Sequence, residues 1–217
     1  MAITLGDIFN EINFFIKKEN RFFASSDILR IINRTAFPRI AEELMYPKTV
    51  VSGFLSSGQY LISTPADFIK IDENSEMLFT DNTPTRNLLP TEKHEIGFAE
   101  ILTATPGNPG KYYMESETLI GVYPPCTSGN YVIPYVKMPT GISSATDTNE
   151  LTERCFMAAV YYTLSECMLT DNDEKAVFYN QKYDMEIKRL KDQYRLKFEI
   201  TKDMKPHNKY VGPMGRT

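Results

Sequence analysis

Apolar residues near the amino terminus recur at steps of three and four. Leu5, Ile8, Phe9, Ile12, Phe15 and Ile16 share one helical face, and Thr4 and Asp7 occupy capping-box positions at its start. A second stripe, Leu29, Ile32, Ala36, Ile40 and Leu44, predicts another helix capped by Ser25 or Ser26. Pro38 falls inside that stripe. Its ring crowds the preceding turn and it has no N–H, so the helix is expected to kink there or split after Phe37.

The pattern then changes. TVVSGF and QYLIS, on either side of SSG, predict two short strands around a turn, because β-branched and aromatic residues flank a Ser/Gly cluster. PADFIKID leads to a short strand near EMLFT, a polar loop TDNTPTRN comes next, and TEKHEIGFAEIL predicts a short helix. TPGNPG marks a loop. KYYMES, TLIGVYP and NYVIPYVKM then predict three antiparallel strands joined by short turns, with Pro134 placing the last at a sheet edge or a bulge. Helical spacing returns from Thr148. Phe156, Val160, Thr163, Leu164 and Cys167 define one face; Asp171 and Glu174 form a second capping signature; Ala176, Tyr179, Tyr183, Ile187, Leu190 and Tyr194 give a long stripe.

The expected fold class is therefore α+β, mainly α: a helical bundle built from the N- and C-terminal helices, with an inserted antiparallel β-subdomain and an extended C-terminal tail. The expected division is 1–47 for the first helices, 48–147 for the β-rich insert, 148–198 for the closing helix pair and 199–217 for the tail.

Composition narrows the function. Of the 217 residues 42% are hydrophobic and 24% charged, as in an ordinary globular chain. No apolar run approaches the roughly 20 residues of a membrane span, and Asp7 and Glu11 interrupt the amino-terminal stretch, against a secretory signal. Cys126, Cys155 and Cys167 show no ligand spacing and read as reduced thiols. The net charge of −4 is uneven: from Lys182 onward ten Lys/Arg face five Asp/Glu, leaving −9 on the remainder. An acidic body argues against sequence-independent nucleic-acid binding over a large surface, while the basic end suits a partner with a negative surface.

Catalytic signatures are missing from this pattern. His94, in KHEIG, lacks the second histidine of a zinc helix, and His207 lies in the tail. There is no phosphate-binding glycine loop and no nucleophile elbow. TDNDE reads as a helix cap rather than a divalent-ion loop. Tyr112, Tyr113, Tyr123, Tyr131 and Tyr135 suggest base stacking, but only Lys111 and Lys137 accompany them, so packing is the expected role. No catalytic residue, metal ligand or cofactor site is assigned.

Several stretches together carry a family likeness: SSDILRIINRTAFPRIAEEL, GFLSSGQYLISTPADFIKI, NPGKYYMESETLIGVYPPCTSGNYVIPYVKMPTGISSATDTNEL and ERCFMAAVYYTLSECMLTDNDEKAVFYNQKYDMEIKRLKDQYR. In order and spacing the chain resembles the head-to-tail adaptor (connector) proteins of tailed bacteriophages over most of residues 25–195, apart from the 72–110 region. The resemblance implies a non-enzymatic virion protein at the head–tail interface, assembled in the host cytoplasm without a cofactor. It implies a homo-oligomeric ring, usually a dodecamer, seated on the portal protein. Such a ring extends the channel through which genomic DNA passes without specific binding, and carries a downstream tail protein. A carboxy-terminal extension that inserts between portal subunits is also implied. On this chain the portal-binding candidates are Lys202, Lys205, Lys209 and Arg216 as cations, with Tyr210, Val211 and Met214 as apolar anchors. Two other classes compete: a nucleic-acid-binding protein using the basic last helix and tail, and a small hydrolase with an unrecognised site.

Overall fold

The computed structural model describes residues 3–18, 23–72, 75–80, 85–169 and 173–203, the last helix as backbone alone beyond Gln193. The first stripe forms α1 (Leu5–Lys18), burying Leu5, Ile8, Ile12 and Ile16. The capping pair is half realised: the Asp7 carboxylate accepts the Thr4 backbone N–H at 2.8 Å, but the Thr4 hydroxyl also donates to Asp7 instead of accepting. Helix α2 (Ser25–Ile31) starts after Ala24, and neither serine caps it. A π turn at Ile32–Ala36 joins it to α3 (Phe37–Leu44). The strain of Pro38 is thus absorbed by widening the preceding turn, where the Phe37 N–H reaches back to the Ile32 carbonyl, and the stripe stays on one side.

The strands are β1 (Lys48–Leu55), β2 (Leu61–Ser63), β3 (Phe68–Ile71), β4 (Met77–Thr80), β5 (Arg86–Pro90), β6 (Lys111–Ser116), β7 (Leu119–Tyr123) and β8 (Gly129–Lys137). They form one eight-stranded sheet in the order β1-β8-β4-β5-β6-β7-β2, with β3 also paired to β8. The pairing of β5 with β6 is parallel, the others antiparallel. Two short helices, α4 (Lys93–Ile96) and α5 (Phe98–Thr103), stand where one was expected; Gly97, at φ 77°, separates them.

The two outermost strands of that order are consecutive in the chain. Strands that far apart in a flat sheet would lie roughly 29 Å from each other, whereas the link from Leu55 to Leu61 spans at most about 20 Å. The sheet must curl, and it forms a nearly closed barrel. Hydrogen bonds from Gly58 N–H to the Cys126 carbonyl (2.8 Å) and from Cys126 N–H to the Gln59 carbonyl (2.9 Å) tie the closing loop. Leu55, Ile62, Met77, Phe79, Leu88, Ile120, Val122 and Ile133 fill the interior. The tight curl brings rings onto glycines: a Cβ on Gly121 would lie 2.2 Å from the Tyr113 ring, and one on Gly53 2.4 Å from the Tyr131 hydroxyl.

This corrects the expected fold class, a mainly α bundle with a small inserted antiparallel β-subdomain. The sheet is mixed, nearly closes on itself and carries its own core. The two strands flanking SSG do not pair with each other, and β8 leaves β7 to pair with β1, β3 and β4. Part of the stretch read as a polar loop is β5, which bends to pair with β4 through Arg86–Leu88 and with β6 through Leu89 and Pro90. Pro134 is in a central strand rather than at an edge. Its carbonyl accepts from Asp72 N–H, so its missing N–H faces the same side. There it falls in the gap between Val132, which pairs with Leu78 of β4, and Tyr135, which pairs with Ile71 of β3.

Helices α6 (Phe156–Met168) and α7 (Asp173–Asp203) are the last described elements. Asp171, from the second capping signature, lies outside the described residues. Buried side chains of α1, α2, the π turn, α3, α6 and α7 share one core, which Val136 of β8 joins. Cys155 lies in this core and Cys167 is buried on α6, and burial pushes both thiols up to about 12.

The segment before α6 fastens α1. The amides of Leu5 and Gly6 donate to the carbonyls of Asp147 and Ala145, while the Asp147 carboxylate accepts from the Ser143 and Ser144 amides at 2.8 and 2.7 Å. Those hydrogen bonds hold Asp147 below the usual carboxylate range, and the Thr4 amide does the same for Asp7. Each carboxylate contributes stability at neutral pH that is lost as the pH falls through its lowered pKa, below about 4. In hydrogen exchange, Asp147→Asn should reduce protection of the first turn of α1 at pH 7 and flatten its acid dependence. Ile187 and Leu190 are buried on α7. Either one changed to Asp should cost upwards of about 4 kcal/mol in denaturant unfolding, while Gln181→Asp, on the exposed side, should cost almost nothing.

Candidate assembly surfaces

Helix α7 has 31 residues and α6, its main partner, 13. Among the described side chains of α7 the buried stripe is Ala176, Tyr179, Tyr183, Ile187 and Leu190. At that point a polar cluster pins the helix. The Arg39 guanidinium of α3 lies 5.1 Å from the ring centre of Tyr162 and 5.5 Å from that of Tyr183, and its Nε donates to Glu43 at 3.0 Å. Glu43 also accepts the Tyr183 hydroxyl at 3.0 Å and faces Lys191 Nζ at 3.9 Å. Burial, reinforced by the Glu43 charge, holds the Tyr183 phenol far above its ordinary value, so it stays a donor; the Glu43 hydrogen bond raises Arg39, which stays a cation. Beyond Lys191 the helix continues for about 12 residues, roughly 18 Å. A cleft of about 810 Å³ opens beside the cluster between the helices and β3, bordered by Arg39, Glu42, Phe68, Lys70, Met138 and Lys191.

Of the portal-binding candidates, the backbone of Lys202 lies in the last turns of α7. Lys205, Lys209, Tyr210, Val211, Met214 and Arg216 lie outside the described residues. What the structure adds is the helix that leads to them.

Sequence reasoning missed a set of exposed apolar side chains. Phe14 and Phe178 adjoin the stripe residues Phe15 and Tyr179 but point outward, and Val50 and Phe54 alternate along β1 on its outer face. The usable signal was an aromatic residue on the polar side of each helical stripe. The barrel tyrosines pack instead: Tyr113 and Tyr135 are buried, and Tyr112, Tyr123 and Tyr131 are half-buried against core residues. Tyr135 donates to Asp67 at 2.9 Å; burial and that bond push its phenol up to about 12. His94 lies on the surface beside Glu92 at 3.1 Å. Among the described residues no group of three or more His, Cys, Asp or Glu is placed to hold a metal ion, and no helix is long and apolar enough to cross a membrane.

Comparison with known proteins gives a family match. The family model for the SU10 adaptor protein aligns with residues 3–202, nearly the whole chain, and the last fifteen residues fall beyond it. No curated protein matches the sequence.

The cluster around Glu43 makes a measurable claim about how α7 is held. Tyr183→Phe should lose about 1 kcal/mol of stability and Glu43→Ala about 2, because the second leaves a buried hydroxyl and an arginine without their shared acceptor. A double-mutant cycle should show coupling above about 0.5 kcal/mol.

Proposed function

The chain belongs to the SU10 adaptor protein family, and from that premise we propose that it forms a ring between portal and tail, using the end of α7 and the residues after it to grip the portal. As a member of that family it is a structural bacteriophage protein, a virion component that contacts other head and tail proteins. The finer reading rests chiefly on one observation: α7 runs for 31 residues against the 13 of α6, its main partner. Among the described side chains the buried stripe reaches Leu190, the Glu43 cluster fixes the helix at Lys191, and the backbone stays helical to Asp203. A helix anchored in the core over its first half serves as an arm at its far end.

The chemistry of the carboxy-terminal segment suits an acidic groove. Lys202, Lys205, Lys209 and Arg216 supply cations, and Tyr210, Val211 and Met214 supply apolar contacts. Pro206 and Pro213 disfavour a continued helix, so the segment binds extended. Many copies docking at once raise the effective concentration of each. In the ring, the acidic body lines part of the channel, and a wall of like charge lets genomic DNA slide past without gripping its phosphates. A downstream tail protein binds the opposite rim.

A chain ending at Lys202 should keep the melting temperature of the full protein and lose attachment to purified portal. Tyr210→Ala should weaken attachment in part. Unimpaired portal binding by the shortened chain would remove the arm from the mechanism. Tight, salt-sensitive DNA binding by the same shortened chain would contradict the non-gripping channel.

A further inference from the structure

Two groups of exposed apolar side chains lie on different layers of the molecule. In the helical layer, ring contacts run unbroken from α1 to α7: Phe14 to Phe15 at 5.6 Å, Phe15 to Tyr179 at 6.1 Å, and Tyr179 to Phe178 at 5.3 Å. The inner rings pack on the core, while Phe14 is 62% and Phe178 51% exposed. Val177 is exposed beside them, and the Lys182 ammonium lies 5.5 Å over the Phe178 ring.

The second group is on the sheet. Helix α3 covers the outer face of β8 at Val136, which joins the helical core. One strand across, Val50 is paired with Pro134 and Phe54 with Asn130, yet they are 63% and 60% exposed. The helical layer stops at β8 and leaves the outer face of β1 uncovered. An uncovered sheet face calls for an apolar helix face, as α3 provides for β8. The chain has such a face in its aromatic ladder, but that ladder lies in its own helical layer, on α1 and α7, whose main contacts are with other helices.

We propose that the Phe14–Phe178 ladder of one copy covers the Val50–Phe54 face of β1 in the next. The proposal rests on the ring reading above and names the two surfaces that a ring requires. Contact between unlike patches is head-to-tail and repeats from copy to copy until the ring closes, whereas either patch pairing with itself ends at a dimer. The rings supply large contact area with little rotamer entropy to lose, and the adjacent lysine forms a polar rim.

The test uses full-length chains carrying Phe54→Cys, Phe178→Cys or both, treated with a short bis-maleimide, with and without purified portal. Cys126, Cys155 and Cys167 are buried, so the introduced thiols dominate the reaction. The expected product joins position 54 to position 178. The double variant should give a ladder of covalent multimers up to the full ring, and each single variant alone should give none. Phe54→Asp and Phe178→Asp should each abolish assembly alone, yet together form a 1:1 dimer, since one keeps the ladder and the other keeps β1. If wild-type chain forms rings but the double-cysteine variant gives no 54–178 product, or gives products joining like positions, the patch assignment is overturned while the ring stands. Wild-type chain that stays monomeric by light scattering both alone and with portal overturns the ring and this contact together.

Discussion

Helix α6 has apolar side chains on nearly every side, and such a helix cannot stand at a surface. Ala158, Ala159, Val160, Tyr162, Leu164, Cys167 and Met168 are all buried. Even its hydroxyls are enclosed: Ser165 finds the Ala176 carbonyl at 3.2 Å, whereas Thr163 has no partner for its oxygen. Enclosing this helix takes α1, α2, the π turn, α3 and α7, drawn from both ends of the chain. The β region between them is therefore constrained to start and finish beside the same core. Most of the remaining architecture derives from that requirement.

A segment whose ends must lie close together favours a sheet that curls. Strand β8 carries the chain back to the helices, and Val136 at its far end packs into their core. Strand β1 leaves from the helical side antiparallel to β8, with Lys48 opposite Val136. The short link to β2 then bends the sheet until its edges approach. Aromatic rings over Gly53, Gly121 and Gly129 let the wall curve this tightly, because any side chain at those positions would meet a ring. Lys48 is also the partner of Asp72, a carboxylate only 1% exposed, at 2.8 Å. The start of β1 and the end of β3 are thereby fixed to each other at the junction of barrel and helices.

The helices were legible because their stripes are local: Leu5 through Ile16, Ile32 through Ile40 and Ala176 through Leu190 each identify a buried face by spacing alone. Most strands were legible one at a time for the same reason. Their pairing was not. Nothing near SSG says that the strand before it and the strand after it sit at opposite ends of the sheet, since closure is a property of all eight strands. RNLLP was hidden because only Leu88 of β5 is buried, which leaves no alternation to read. Pro134 misled because a proline normally excludes a central strand, and only the gap between β4 and β3 tolerates it. The basic end was legible as composition. How far α7 outlasts α6 depends on where each helix stops, and a stripe read through to Tyr194 does not mark those ends.

The length of α7 has a physical consequence of its own. An isolated helix of about 12 residues is marginal in water, because forming the first turn fixes several residues for a single hydrogen bond. The outer part of α7 has no such nucleation barrier, since it propagates from turns already held by Tyr183, Ile187 and Leu190. The Glu43 cluster lies at the boundary, and its phenol, guanidinium and carboxylate fix both the tilt and the rotation of the helix there. In the proposed arm, a helix rooted in the core would carry the residues after it to a defined place. This lowers the entropy lost when a subunit docks. It also explains why an adaptor benefits from joining the two layers so firmly: movement at the root of α7 would be magnified along the helix, and a partner with fixed spacing between its sites tolerates little of it.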